Sequence, residues 1–139
     1  MIVVIRIAGK VNLSGDIKET LNRIHTHRKY SAVLLPESEN TFKLLMKIRN
    51  FVSYGKINTE TLAKLLAERG QPIKAGAKID AKKVMSELEK KSLGELGLKP
   101  FFRLHPPRKG IESKKHAGET GKGVLGENKK INELVERML

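Results

Sequence analysis

Apolar and polar residues along the first sixty positions follow two different periods. The β-branched run of residues 2–8, which ends at Gly9, predicts a strand that is mostly buried on both faces. From Ile17, apolar residues recur at i, i+4 and i+7, which predicts an amphipathic helix packed against a sheet, and Ser14 or Asp16 is placed to cap it. Residues 30–35 and 51–57 are apolar again and predict a second and a third strand.

The segment between the second and third predicted strands has the clearest helical pattern. Pro36 stops the strand before it, and Ser38 is placed to cap the helix. Its apolar residues cluster on one side, whereas Lys43 and Lys47 lie on the other. The order strand, helix, strand, helix, strand predicts an α+β fold with a small β-α-β-α-β core over residues 1–58.

A helical extension is predicted to follow over residues 59–98. Residues 59–69 carry an apolar stripe and are followed by Gly70, which predicts a helix closed by a left-handed glycine cap. Asp80 is placed to cap a further helix that runs to about Lys91. Both helices need the core to cover their apolar sides.

Residues 99–139 are predicted to form the last unit, a basic extended arm and a closing helix. Up to residue 130, prolines and glycines are frequent and cations outnumber acids. Such a composition buries too little apolar surface to fold alone, so an arm that becomes ordered on nucleic acid is expected. Apolar residues at helical spacing over 131–138 predict a C-terminal amphipathic helix that docks on the core.

The net charge of the chain indicates which class of partner it binds. The 139 residues carry 28 Lys and Arg against 15 Asp and Glu, a formal net charge of +13. This excess favours a polyanionic partner, and nucleic acid is the first candidate. No run approaches the roughly 18 apolar residues of a membrane span, and no basic amphipathic helix suited to a membrane surface is visible. The sequence therefore predicts no membrane partner.

Two patterns are similar to ligand sites, but each lacks a required part. Residues 118–123 are rich in glycine like a phosphate loop, yet no strand is predicted before them and Lys122 is not followed by Ser or Thr. His25 and His27 have no cysteine and no nearby acid with which to complete a zinc site. The sequence predicts no catalytic residue, metal, cofactor or small-molecule substrate.

Cations on the helices and on the arm are the candidate RNA-binding residues. Lys and Arg neutralise phosphates, and the prolines and glycines of the arm keep its backbone extended enough to approach a groove. A solvated charged tail is the simpler alternative. The residues assigned to RNA are Arg23, Arg28, Lys29, Lys43, Lys47, Arg103, His105, Arg108, Lys109, Lys114, Lys115, His116 and Lys122.

Several short segments, in matching order, carry a resemblance to a known family. They are residues 5–9, 34–37, 48–55, 64–70, 102–108 and 131–138. The most specific is Phe-Arg-Leu-His-Pro-Pro-Arg at 102–108. In these segments the chain resembles the L-thirty family of large-subunit ribosomal proteins, in its long archaeal and eukaryotic form.

The resemblance implies a three-stranded sheet with two helices on one face, similar to the ferredoxin-like fold. It also implies that the protein holds ribosomal RNA in the large subunit of a cytoplasmic ribosome, beside neighbouring ribosomal proteins. Residues 71–97 and 108–110 depart from the family's usual pattern.

Two functions of other classes are alternatives to this one. A small-molecule-binding regulatory domain is an alternative because ferredoxin-like sheets also host effector sites, but its surface is expected to be nearly neutral. A free DNA-binding module needs a helix shaped for the major groove, and none is visible. The function predicted from the sequence is therefore that of a structural constituent of the large ribosomal subunit, and not that of an enzyme.

Overall fold

The structure of the protein is a computed structural model, which describes residues 2–7, 14–70, 81–87, 99, 101–108, 113–116, 123–127 and 130–138. Its elements in chain order are β1 (Ile2–Arg6), α1 (Gly15–Arg23), β2 (Ser31–Leu35), α2 (Glu39–Ile48), β3 (Val52–Lys56), α3 (Thr59–Arg69), α4 (Ala81–Glu87), β4 (Phe102–Arg103), β5 (Ser113–His116), β6 (Gly123–Glu127) and α5 (Ile131–Met138).

The described strands form one six-stranded sheet with the order β4-β2-β1-β3-β6-β5. β1 pairs antiparallel with both β2 and β3, so that Ile2 lies opposite Leu35 on one side and Lys56 on the other. β4 pairs antiparallel with β2, whereas β6 is parallel to β3 and β5 is parallel to β6. The predicted α+β class with a β-α-β-α-β core is confirmed.

Helices cover both faces of the central strands. Ile2 and Val4 lie in an apolar cluster with residues of α1 and α2, whereas Val3 and Ile5 lie in a second cluster with residues of α3, α4 and α5. This alternation follows from the two-residue period of a strand. The expected burial of the first strand on both faces is confirmed, and α1 and α2 share one face as the family resemblance implied.

The helix ends agree with the sequence at two positions and differ at a third. Ser14 and Ser38 cap α1 and α2, and each hydroxyl oxygen accepts the amide N–H three residues later, at 3.4 and 3.2 Å. Gly70, by contrast, has φ −62° and ψ 129°, so the predicted left-handed cap is wrong. Its N–H donates to the carbonyl of Leu66 at 3.1 Å, which closes the last turn of α3 while the chain continues in an extended conformation.

The C-terminal third of the chain contributes strands that were not expected. Phe102 of β4 is fully buried, and Leu104 and Leu125 are buried in the same cluster as α3 and α5. Of β5 only the backbone is described, and residues 109–112 and 117–122 lie outside the described residues. Part of the region predicted to be an arm therefore forms strands at both edges of the sheet.

Two boundaries predicted from the sequence fall outside what the structure describes. α4 begins at Ala81, but its proposed cap Asp80 and the residues from 88 to Lys91 lie outside the described residues. The division of the chain into units at residues 58 and 98 stays a prediction.

Candidate nucleic-acid interface

The loop of residues 24–30 joins α1 to β2 and is bound to the end of β1. Nη1 of Arg6 donates to the carbonyl oxygens of Thr26 and His27, at 2.8 and 2.7 Å. The carbonyl of Arg6 in turn accepts the N–H of Tyr30 at 2.7 Å. The backbone of this basic loop is thus fixed from within the core.

β4 places a second basic segment beside this loop. Arg103 lies opposite Ser31 in the pairing of β4 with β2. One residue further, the N–H of Leu104 donates to the carbonyl of Tyr30 at 3.1 Å. Two segments that are more than seventy positions apart in the sequence therefore meet at one edge of the sheet.

Two of the cations at this edge lie over aromatic rings. The guanidinium of Arg103 is 5.6 Å from the ring centroid of Phe101, and the ammonium of Lys29 is 5.2 Å from that of Tyr30. Such cation–π contacts orient the charged group and leave it able to meet a phosphate. The rings restrict where these two charges lie.

The segment after β4 runs across the C-terminal end of α5. The N–H of His105 donates to the carbonyl of Met138 at 2.9 Å, and that of Arg108 donates to the carbonyl of Arg137 at 3.1 Å. Nη1 of Arg137 donates back to the carbonyl of Arg108 at 3.3 Å. Because the last carbonyls of a helix have no partner within it, these bonds fix residues 104–108 in place.

We term residues 25–30 and 101–108 together the basic edge. These two segments contain four Lys or Arg and three His, and no Asp or Glu. No carboxylate of the described residues lies within ion-pair distance of their four cations. Those cations are Arg28, Lys29, Arg103 and Arg108.

Three of the predicted RNA-binding cations lie on α1 and α2 instead, where they are paired with carboxylates. The pairs are Arg23 with Glu19 at 2.7 Å, Lys43 with Glu39 at 3.7 Å and Lys47 with Asp16 at 3.9 Å. Exposed pairs of this kind add little stability, but each carboxylate offsets the positive potential of its partner. The α1 and α2 layer is therefore of mixed charge.

The remaining predicted residues lie at the other end of the sheet or outside the described residues. Lys114, Lys115 and His116 belong to β5, which four strands separate from β4. The five steps between neighbouring strands, at about 4.8 Å each, make this separation roughly 24 Å. Lys109 and Lys122 lie outside the described residues. The structure thus divides the predicted site residues among distinct surfaces.

The glycine-rich segment 118–123 has a structural context that differs from the expectation in one respect. β5 precedes it, although no strand was predicted there. β6 follows it, whereas a phosphate loop leads into the N-terminus of a helix. Residues 118–122 themselves lie outside the described residues.

The described part of the chain has neither a metal cluster nor a membrane-spanning helix. It contains no group of three His, Asp or Glu placed to hold a metal ion. None of its helices has the length and apolar character needed to cross a bilayer.

Arg6 and Arg137 contribute to this site without having been predicted. Arg6 had a visible signal, since it is a lone cation inside an apolar, β-branched run. Arg137 had none, because its position on an amphipathic helix is ordinary for a solvated arginine.

Comparison with curated proteins decides the family. The large ribosomal subunit protein uL30 of Methanococcus vannielii is 36% identical, over 98% of this chain and 97% of the relative. The uL30 protein of Archaeoglobus fulgidus is 34% identical over 99% of both chains. That of Korarchaeum cryptofilum is 32% identical, over 100% of this chain and 95% of the relative.

The chain belongs to the uL30 family of large-ribosomal-subunit proteins. The resemblance seen in the sequence is confirmed, although no family model matches the chain. Because the uL30 relatives match nearly the whole chain, the likeness includes the C-terminal strands and α5 as well as the core. As a uL30 protein, the chain is a structural constituent of the large ribosomal subunit and part of the translation machinery.

Proposed function

We propose that this uL30 protein binds ribosomal RNA of the large subunit through the basic edge and so holds that RNA in place during translation. One observation carries the proposal: two segments without acidic residues are joined side by side, and their four cations have no carboxylate partner among the described residues. The partners of this activity are the RNA and the neighbouring ribosomal proteins of a cytoplasmic ribosome.

The chemistry of the basic edge suits a phosphate backbone. Arginine presents a planar fork of donors that matches phosphate oxygens, and three of the four cations are arginines. Their backbone is fixed by hydrogen bonds to Arg6, Tyr30 and α5, so little conformational entropy is lost when RNA binds. Phe101 beside Arg103 and the histidines offer flat surfaces for an unpaired base.

The other predicted cations are proposed as secondary contacts. Lys114, Lys115 and His116 belong to β5, at the far end of the sheet, and are proposed to add contacts with RNA there. Lys109 and Lys122 are proposed as RNA contacts on their charge alone. Arg23, Lys43 and Lys47 would contribute less, because each already has a carboxylate nearby.

Salt dependence of binding tests this function. Fragments of large-subunit ribosomal RNA are titrated with the protein in a filter-binding assay at several salt concentrations, with transfer RNA as competitor. Each neutralised phosphate contributes about 0.7 to 0.9 to the slope of log affinity against log salt, so the four cations predict a slope of about −3 or steeper. An affinity that does not change with salt concentration, or equal competition by transfer RNA, would refute the proposal.

A further inference from the structure

Arg6 is an unusual residue for the end of a core strand. It is 8% exposed, although it carries a charge. Burying a charge is unfavourable unless it is well hydrogen-bonded, and burial here lowers the pKa of the Arg6 guanidinium below its ordinary value. An arginine nevertheless keeps its proton in a protein. Packing alone would favour an apolar side chain at this position.

Three hydrogen bonds of Arg6, two from its side chain and one to its backbone carbonyl, lead to one loop. Its Nη1 holds the carbonyls of Thr26 and His27, and its own carbonyl holds the N–H of Tyr30. Arg28 and Lys29 lie between these attachment points. The two cations that the loop presents are therefore bounded on both sides by residues bonded to Arg6.

The loop has a backbone conformation that needs such support. His25 and Tyr30 both have φ of 64°, a left-handed conformation that is uncommon for residues other than glycine. Strained residues of this kind persist where the surroundings determine them. Thr26, which is fully buried, anchors the loop's beginning, since its N–H and hydroxyl both donate to the carbonyl of Leu21 at 3.0 Å.

We infer that Arg6 is a positioning residue for RNA binding, which acts from inside the core by holding residues 26–30 in the conformation that presents Arg28 and Lys29. The inference rests on the proposed function. It adds that the affinity of the basic edge depends on a side chain that does not belong to its exposed surface. Because Tyr30 is hydrogen-bonded both to Arg6 and to Leu104, Arg6 also helps to determine where Arg103 lies relative to the loop.

The test compares Arg6→Met with Arg6→Lys and with Val4→Ala. Met removes the donors but keeps an unbranched apolar stem, whereas Lys retains the charge and a donor. Val4→Ala truncates a fully buried residue of the same strand and serves as the control for lost stability alone. Affinity for large-subunit ribosomal RNA is measured at a temperature at which each variant is fully folded, and amide hydrogen exchange is followed in residues 26–30.

We expect Arg6→Met to weaken RNA binding by about tenfold or more, because the released loop must be ordered on binding. Exchange of the loop amides should accelerate in the same variant, and Arg6→Lys should recover part of both properties. Val4→Ala should lower the melting temperature and leave affinity unchanged. A folded Arg6→Met variant with wild-type affinity would overturn the inference, since Arg6 would then serve the core alone.

Two further outcomes are decisive. If Arg6→Met does not fold, Arg6→Lys is compared with wild type: faster loop exchange with weaker binding supports the inference, and faster loop exchange with unchanged binding overturns it. If the wild-type protein fails to bind the RNA in a salt-dependent manner, the proposed function itself is wrong, and with it the role of Arg6 in binding.

Discussion

Replacing Phe102 by alanine is expected to lower the free energy of unfolding by about 3 to 5 kcal/mol, the usual loss for a buried phenylalanine. Phe102 is fully buried, and it packs in the cluster that joins the sheet to α3 and α5. Its removal leaves a cavity beneath β4, at the edge where the RNA-binding residues are proposed to lie. Urea unfolding at equilibrium measures the loss.

Leu34→Ala provides the matched control. The apolar pattern of residues 30–35 suggests a buried Leu34, but the structure shows it to be only partly buried at the margin of the same cluster. Because less apolar surface is lost, its cost should be clearly smaller than that of Phe102→Ala. A loss below about 1 kcal/mol for Phe102→Ala would show that β4 is not packed as described and that this region behaves as an arm.

Neutralising the basic edge is expected to have the largest effect on RNA binding. The triple variant Arg28→Gln, Lys29→Gln and Arg103→Gln removes three cations that have no described carboxylate partner. Affinity should fall about a thousandfold or more, since three contacts with charged groups at about 1.5 kcal/mol or more each amount to about 4.5 kcal/mol. The salt slope should become shallower by about two to three units. Stability should change by about 0.5 kcal/mol or less per residue.

A second triple variant removes the same charge from a different surface. Arg23→Gln, Lys43→Gln and Lys47→Gln alter cations that already lie beside carboxylates on α1 and α2. Their loss should affect the affinity and the salt slope much less. Equal losses in the two variants would mean that net charge alone attracts RNA and that the basic edge has no special role.

The N-terminal core was predictable because its signals are local. Strand period, helix period and the capping serines Ser14 and Ser38 lie within a few residues of the elements that they determine. The bounds of α3 agree with the predicted range 59–69 for the same reason. β4 was not predictable, because a strand of two residues exists only through its pairing with Ser31 and Ala32, seventy positions earlier.

The candidate site shows the same division between local and long-range information. Every cation of the basic edge was named from the sequence, because its residue type and the surrounding charge are local properties. Which cations share an edge was not predictable, because the placement of Arg103 beside the loop that carries Arg28 depends on the pairing of β2 with β4. Of the three ion pairs on α1 and α2, only the pair of Lys47 with Asp16 joins one helix to the other. The other two lie within one helix, between residues four positions apart.

Crosslinking of the protein to RNA in living cells, with sequencing of the bound RNA and mass spectrometry of the crosslinked peptides, tests RNA binding at the basic edge within the ribosome. We expect large-subunit ribosomal RNA to be enriched over all other RNA. The crosslinked peptides should contain residues 25–30 and 101–108. Absence of that enrichment, or crosslinks confined to α1 and α2, would contradict the proposed binding mode.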